Sequence, residues 1–97
     1  MKYYHGTTNE CAESIEAEGF RGSELDELTD GFTTLNNGGV VFVYDKPELA
    51  AEYGEVVYEI ELLNSKAVAF QEDWNGNQEY YIPMSVMLED GVWKRTN

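Results

Sequence analysis

A chain of 97 residues that is 42% apolar and 13% aromatic can bury one modest core, which excludes a multi-domain assembly and a disordered chain. A single cysteine and a single histidine exclude a disulfide framework and a protein-built zinc site, which takes about four ligands. Nineteen acidic residues against six basic ones give a net charge of −13, which excludes nonspecific nucleic-acid binding through neutralised phosphates. No apolar run approaches the ~20 residues of a membrane span, and no charged stretch leads into a signal-like apolar one. The expectation is a single cytoplasmic domain over residues 1–97, with no membrane partner.

In chain order, "MKYYHGTT" alternates aromatic and polar residues and predicts a first strand ending at Gly6. "TNECAESIEAEGF" predicts a helix. Thr7 and Glu10 have capping-box spacing, Cys11, Ile15 and Ala12 form an apolar stripe, and Gly19 is placed to end it in a left-handed conformation. Phe20 can then pack back on the last turn. Residues 21–39 are polar and glycine-rich and read as a long loop of the kind that is often functional.

"VVFVY", residues 40–44, is continuously apolar and predicts a strand buried on both faces. Asp45 can cap the next helix, Pro47 suits its first turn and Gly54 can end it. Strands follow at 56–62, 66–70 and 79–83, and "SVMLE" at 85–89 is also strand-like. In "VVYEIEL", Val57 and then Ile60 and Leu62, after a change of face, are the inward residues. "DWNGNQ" at 73–78 is turn-rich, and Asp90-Gly91 between two such runs is a hairpin signal. Two short helices in the first half and six or seven strands without intervening helices predict an α+β domain of two packed, mostly antiparallel sheets.

Few residues carry chemistry by type. Serine-nucleophile, phosphate-loop and dinucleotide fingerprints are absent. His5 stands where a strand turns beside a glycine, so a ring nitrogen could donate to a ligand hydroxyl while Gly6 offers unobstructed backbone. Taken singly, each such residue has a bland role. His5 can be a satisfied structural histidine, Glu79 a solvated carboxylate, Phe42 a core residue and Tyr53 a filler at a helix end.

Together, "YYHGTTNECAESIEAEGF", "VVFVYDKPELAAEYG" and "NQEYYIP" resemble the three blocks of the ADP-ribosyltransferase superfamily, in its His-Tyr-Glu branch of the diphtheria-toxin and poly(ADP-ribose)-polymerase type. The blocks occur in family order and span residues 3–83. The resemblance implies two packed antiparallel sheets with NAD, as co-substrate, in a cleft between them. It implies that His5 bonds the adenosine ribose, that the Gly6 backbone holds the nicotinamide carboxamide, and that Thr7 assists there. Tyr53 would stack on the nicotinamide ring, with Phe42 as a second aromatic. Glu79 would be the catalytic carboxylate, bonding the nicotinamide ribose and stabilising the cation that develops as the glycosidic bond breaks.

The implied activity is mono-ADP-ribosylation of a macromolecular target, such as a bacterial or phage effector performs. Asn77 occupies the position two before Glu79 where arginine-specific members have Glu or Gln, so arginine is not supported as acceptor. The shortage of basic residues favours a protein acceptor over a nucleic acid. The alternative from a different class is a catalytically weak acidic binding module that inhibits a basic or nucleic-acid-binding partner.

Overall fold

The computed structural model describes residues 1–20 and 39–97. The long loop expected over 21–39 lies, except for Gly39, outside the described residues. The described elements are β1 (Lys2–Thr7), α1 (Asn9–Glu18), β2 (Val40–Val43), α2 (Pro47–Ala50) running into a 3₁₀ turn (Ala51–Tyr53), β3 (Val56–Leu62), β4 (Val68–Glu72), β5 (Gln78–Pro83), α3 (Met84–Asp90) and β6 (Gly91–Arg95). They form two antiparallel three-stranded sheets, ordered β1-β3-β6 and β2-β5-β4, with short helices, so the α+β expectation holds at that level.

The central strand β3 supplies the core. Val56, Tyr58, Ile60 and Leu62 alternate inward, each fully buried. There is no change of face along this strand. Val57 is buried on the opposite side, where the C-terminus covers it: its N–H donates to Asn97 Oδ1 at 3.1 Å and its carbonyl accepts from Thr96 N at 2.9 Å. Ile82 of β5, Val41 and Val43 of β2, and Ala12 and Ile15 of α1 join this cluster, with Tyr3, Phe20, Met84 and Met87. Two of the buried tyrosines bond their hydroxyls within the core: Tyr58 donates to the Ala12 carbonyl at 3.3 Å, and Tyr3 accepts from Ala67 N at 3.1 Å.

Several local expectations shift. Helix α1 is capped by Thr8, not Thr7; Thr8 Oγ1 accepts from Cys11 N at 3.3 Å, while Thr7 is the last residue of β1. Cys11 is exposed, and Ala12 and Ile15 alone make the buried stripe. Gly19 ends the helix at φ 85°, and Phe20 turns inward, edge-on to Tyr58 and Trp93 at 5.5 and 5.1 Å. Asp45 does not cap α2. Lys46 occupies that position without a side-chain bond, and Pro47 follows as the first helical residue.

The largest difference lies at 84–91. "SVMLE" belongs to helix α3, not to a strand, because Met84 and Met87, three apart, both bury against the core. Asp90-Gly91 is accordingly a helix-to-strand junction and not a hairpin. Gly91 is extended, at φ −90° and ψ 133°, and leads into β6. The Asp90 carboxylate accepts from Asn64 N at 2.9 Å and Ser65 N at 2.7 Å, tying α3 to the end of β3. The Asn64 N–H, with help from Ser65, holds this carboxyl below the ordinary aspartate range. A depressed folded-state value gives stability that is present above the ordinary pKa and is lost as pH falls through the lower folded one. Asp90→Ala should therefore lower the urea midpoint at pH 7, and the difference from wild type should shrink progressively below pH ~4.

No helix among the described residues is long and apolar enough to cross a membrane.

Candidate functional site

The two sheets meet where β1 touches β2. Tyr4 and Tyr44 exchange backbone hydrogen bonds of 2.7 and 2.9 Å, and the strands then diverge. Continued pairing would next join Gly6 to Phe42. Instead His5 Nδ1 reaches the Phe42 carbonyl at 2.7 Å and takes up the acceptor that the broken ladder would leave. Met1 and Leu62 exchange backbone bonds across β1 and β3, so the odd residues of β1 bond to β3. By the same alternation the N–H and C=O of Gly6 face the side from which β2 has withdrawn.

A cavity of about 350 Å³ opens in this gap. It is lined by Tyr4, His5 and Gly6 from β1, Phe42, Val43 and Tyr44 from β2 and its end, Tyr53 from the 3₁₀ turn, Phe70 and Gln71 from β4, and Glu79 from β5. Of the residues singled out in the sequence, His5, Gly6, Phe42, Tyr53 and Glu79 therefore share one cavity. Thr7 does not reach it. It is 8% exposed and lines a neighbouring cavity beneath α1, with Cys11, Ser14 and Phe20, which His5 and Gly6 also border.

Two close approaches bring Tyr53 to His5. A Cβ on Gly6 would lie 2.6 Å from the carbonyl carbon of Ala50, and nearer still to its oxygen. A Cβ on Gly54 would overlap the Thr7 carbonyl. Glycine at both positions lets the segment from Pro47 to Gly54 lie flat on β1. Gly6 is thus required by packing whether or not a ligand is bound.

Tyr53 is 57% exposed, so it does not serve as core filling. Phe42 is half-buried in an otherwise buried strand and packs on Phe70, with centroids 5.5 Å apart. The apolar wall is therefore built by β2 and β4 together.

The His5 ring is neutral at neutral pH. Burial lowers its pKa below the ordinary value, and the bond to the Phe42 carbonyl, which favours the charged form, only partly opposes that. Because a carbonyl only accepts, Nδ1 carries the proton and Nε2 carries the lone pair. His5 would thus accept from a ligand hydroxyl through Nε2, where the sequence reading had a ring nitrogen donating.

Glu79 receives a hydrogen bond from Gln71 Nε2 at 3.3 Å. Gln71 is there because β4 carries a bulge. Ala69 pairs with Tyr80, but Glu72 pairs with Gln78, so Phe70 and Gln71 together oppose Glu79. Tyr44, which read as one more buried strand residue, has its hydroxyl 3.0 Å from that of Tyr53 and 3.1 Å from Asp73 Oδ2. Burial foremost, with the Tyr53 and Asp73 bonds and the Glu79 charge, raises its pKa and keeps it a phenol. Asn77, two before Glu79, is occupied by the turn: its N–H and side-chain amide both go to the Asp73 carboxylate, at 2.9 and 3.4 Å.

The cavity thus holds an exposed aromatic face, a neutral imidazole, strand backbone without a ladder partner among the described residues on that side, and a carboxylate braced by an amide. That set suits a planar heteroaromatic ligand with polar substituents and a cationic or hydroxyl-bearing neighbour. No family model, curated protein or solved structure matches this chain.

Proposed function

We propose that the protein is an NAD-dependent mono-ADP-ribosyltransferase with the ADP-ribosyltransferase fold, acting on a macromolecular target, with a protein as acceptor. The observation that carries this reading is the convergence of His5, Gly6, Phe42, Tyr53 and Glu79, from three separate stretches of sequence, on one cavity. They are five of the six residues that the family resemblance selects; the sixth, Thr7, lines the neighbouring cavity. A volume of about 350 Å³ falls in the range of small-molecule sites and suits the nicotinamide-ribose end of NAD.

In this reading the nicotinamide ring lies on Tyr53 with Phe42 nearby, and the Gly6 backbone takes its carboxamide. His5 Nε2 accepts from a ribose hydroxyl. Glu79, steadied by Gln71, bonds the nicotinamide ribose and stabilises positive charge as it develops. The bond from ribose C1′ to the ring nitrogen breaks, with its electron pair going to nicotinamide. C1′ bonds to the acceptor nucleophile, which releases its proton. Holding both fragments in place supplies much of the rate. The side-chain amide and N–H of Asn77 already serve Asp73, so arginine remains unsupported as acceptor.

A second reading, an acidic binding module for a basic partner, draws support from charge. Lys2 and Lys94 both lie within 4 Å of Glu59, and Arg95 within 3.2 Å of Glu16, so these cations are partly neutralised within a chain of net charge −13. Incubation with radiolabelled NAD and a cell lysate separates the two. The enzyme reading expects label on a macromolecule that depends on Glu79. The module reading expects none, together with partner binding that weakens steeply with salt and ignores Glu79.

A further inference from the structure

An aromatic ring that is more than half exposed is not held by packing, yet a stacking floor must be still. What holds Tyr53 is polar. Its hydroxyl lies 3.0 Å from the Tyr44 hydroxyl, which lies 3.1 Å from Asp73 Oδ2. An ionised carboxylate only accepts, so Tyr44 gives its proton to Asp73 and Tyr53 gives its own to Tyr44. The two rings sit 5.7 Å apart and 31° from parallel. The two members of this relay beyond Tyr53 are themselves fixed. Tyr44 is buried and its backbone is bonded to Tyr4. Asp73 Oδ1 accepts from the N–H groups of Asn75 and Asn77 at 2.9 Å each. The same turn is closed by Asp73 N to the Asn77 carbonyl at 2.8 Å and by Gly76 N to the Asp73 carbonyl at 2.9 Å.

We propose that Tyr44 and Asp73 are positioning residues: their hydrogen-bonded relay fixes the Tyr53 ring against the cavity and so sets the affinity for the nicotinamide end of NAD. The proposal rests on the NAD reading of the site. Neither residue need touch the reacting atoms. Without the relay, binding must also freeze the Tyr53 ring, and that ordering weakens the substrate and transition-state complexes alike. Loss of such uniform binding raises KM and spares kcat.

The experiment compares wild type with Tyr44→Phe, Asp73→Ala and Asp73→Asn by two readouts. One is NMR of ring-labelled tyrosine in the free protein. The other is KM and kcat for NAD. Tyr44→Phe keeps the buried ring and loses the relay. It should set the Tyr53 ring in fast motion and raise KM about tenfold, as for one lost hydrogen bond, with kcat within about twofold. Asp73→Ala should resemble it. Asp73→Asn keeps an oxygen for the turn and an amide that can bond the Tyr44 hydroxyl, and should restore most of the wild-type behaviour. A Tyr44→Phe protein with the Tyr53 ring still fixed and KM unchanged overturns the proposal, even if its stability falls. If wild type does not turn over NAD, the NAD reading fails. The ring measurement then decides the relay: a ring freed by Tyr44→Phe supports it, and a ring that stays fixed overturns it.

Discussion

Glu79→Ala should lower kcat/KM for NAD by roughly 10²–10³-fold, the loss typical of one group that stabilises developing charge, while the protein stays folded. The separation of activity from stability follows from where Glu79 sits. It is the second residue of β5, at the cavity and half-buried, and its carboxylate accepts a 3.3 Å hydrogen bond from Gln71. It fills no core space, so its loss should move folding free energy by no more than ~0.5 kcal/mol. Any shift should favour the folded state, because removing one of 19 acidic groups relieves self-repulsion. Glu79→Gln is the stricter variant. It keeps the side chain's shape and an oxygen for Gln71, and it removes only the charge. Nicotinamide release by Glu79→Gln at the wild-type rate would remove the carboxylate from the mechanism, and with it the assignment of the site.

Gly6→Ala should cost about 3 kcal/mol, near the upper end for forced overpacking. The obstacle is the backbone of Ala50, whose carbonyl a Cβ at residue 6 would overlap, so no side-chain rotation relieves it. A domain of this size has only ~5 kcal/mol of stability, and 1 kcal/mol corresponds to about 4–8 °C in Tm. The expected drop therefore exceeds ~10 °C in a thermal melt. The contrast is Gly19→Ala. A Cβ there meets none of the described residues within 4 Å, and among them only the positive φ of 85° is penalised, at about 1–2 kcal/mol. Gly6→Ala must lift α2 off β1, and Tyr53, three residues beyond Ala50, moves with it. Variants that fold at low temperature should therefore lose NAD binding as well. A Gly6→Ala melt within a few degrees of wild type would show that the approach of α2 to β1 is looser than described.

The sequence carried the parts of this site that are local. A strand ending in His-Gly, an aromatic strand followed by a proline-started, glycine-stopped turn, and a strand opening with Glu-Tyr each leave a short readable signature. The same holds for β2, which is apolar throughout, and for the place of β3 but not its face: Val57 and a change of face were expected where Val56, Tyr58, Ile60 and Leu62 turn inward in one alternation. What was not legible depends on pairing across distance. Tyr44 and Asp73 are 29 residues apart and meet because β2 and β4, which they directly follow, flank β5 in one sheet. Gln71 faces Glu79 because of a bulge that exists only in the β4–β5 register. The short run from Met84 to Asp90 fits strand and helix periods about equally, and the burial of Met84 and Met87 decides for the helix. Gly6 was legible as a glycine beside a ligand, but its contact with Ala50 was not, because the partner is 44 residues away.

The central claim is that one cavity between the sheets takes the nicotinamide end of NAD against Tyr53 beside Glu79. A two-dimensional NMR titration of the labelled protein with NAD tests it most directly. The account predicts saturable shifts concentrated on Gly6, Phe42, Tyr53, Gln71 and Glu79, and ring-to-ring contacts between nicotinamide and Tyr53. Shifts absent at millimolar NAD, or confined to the outer face of the β1-β3-β6 sheet, would contradict it.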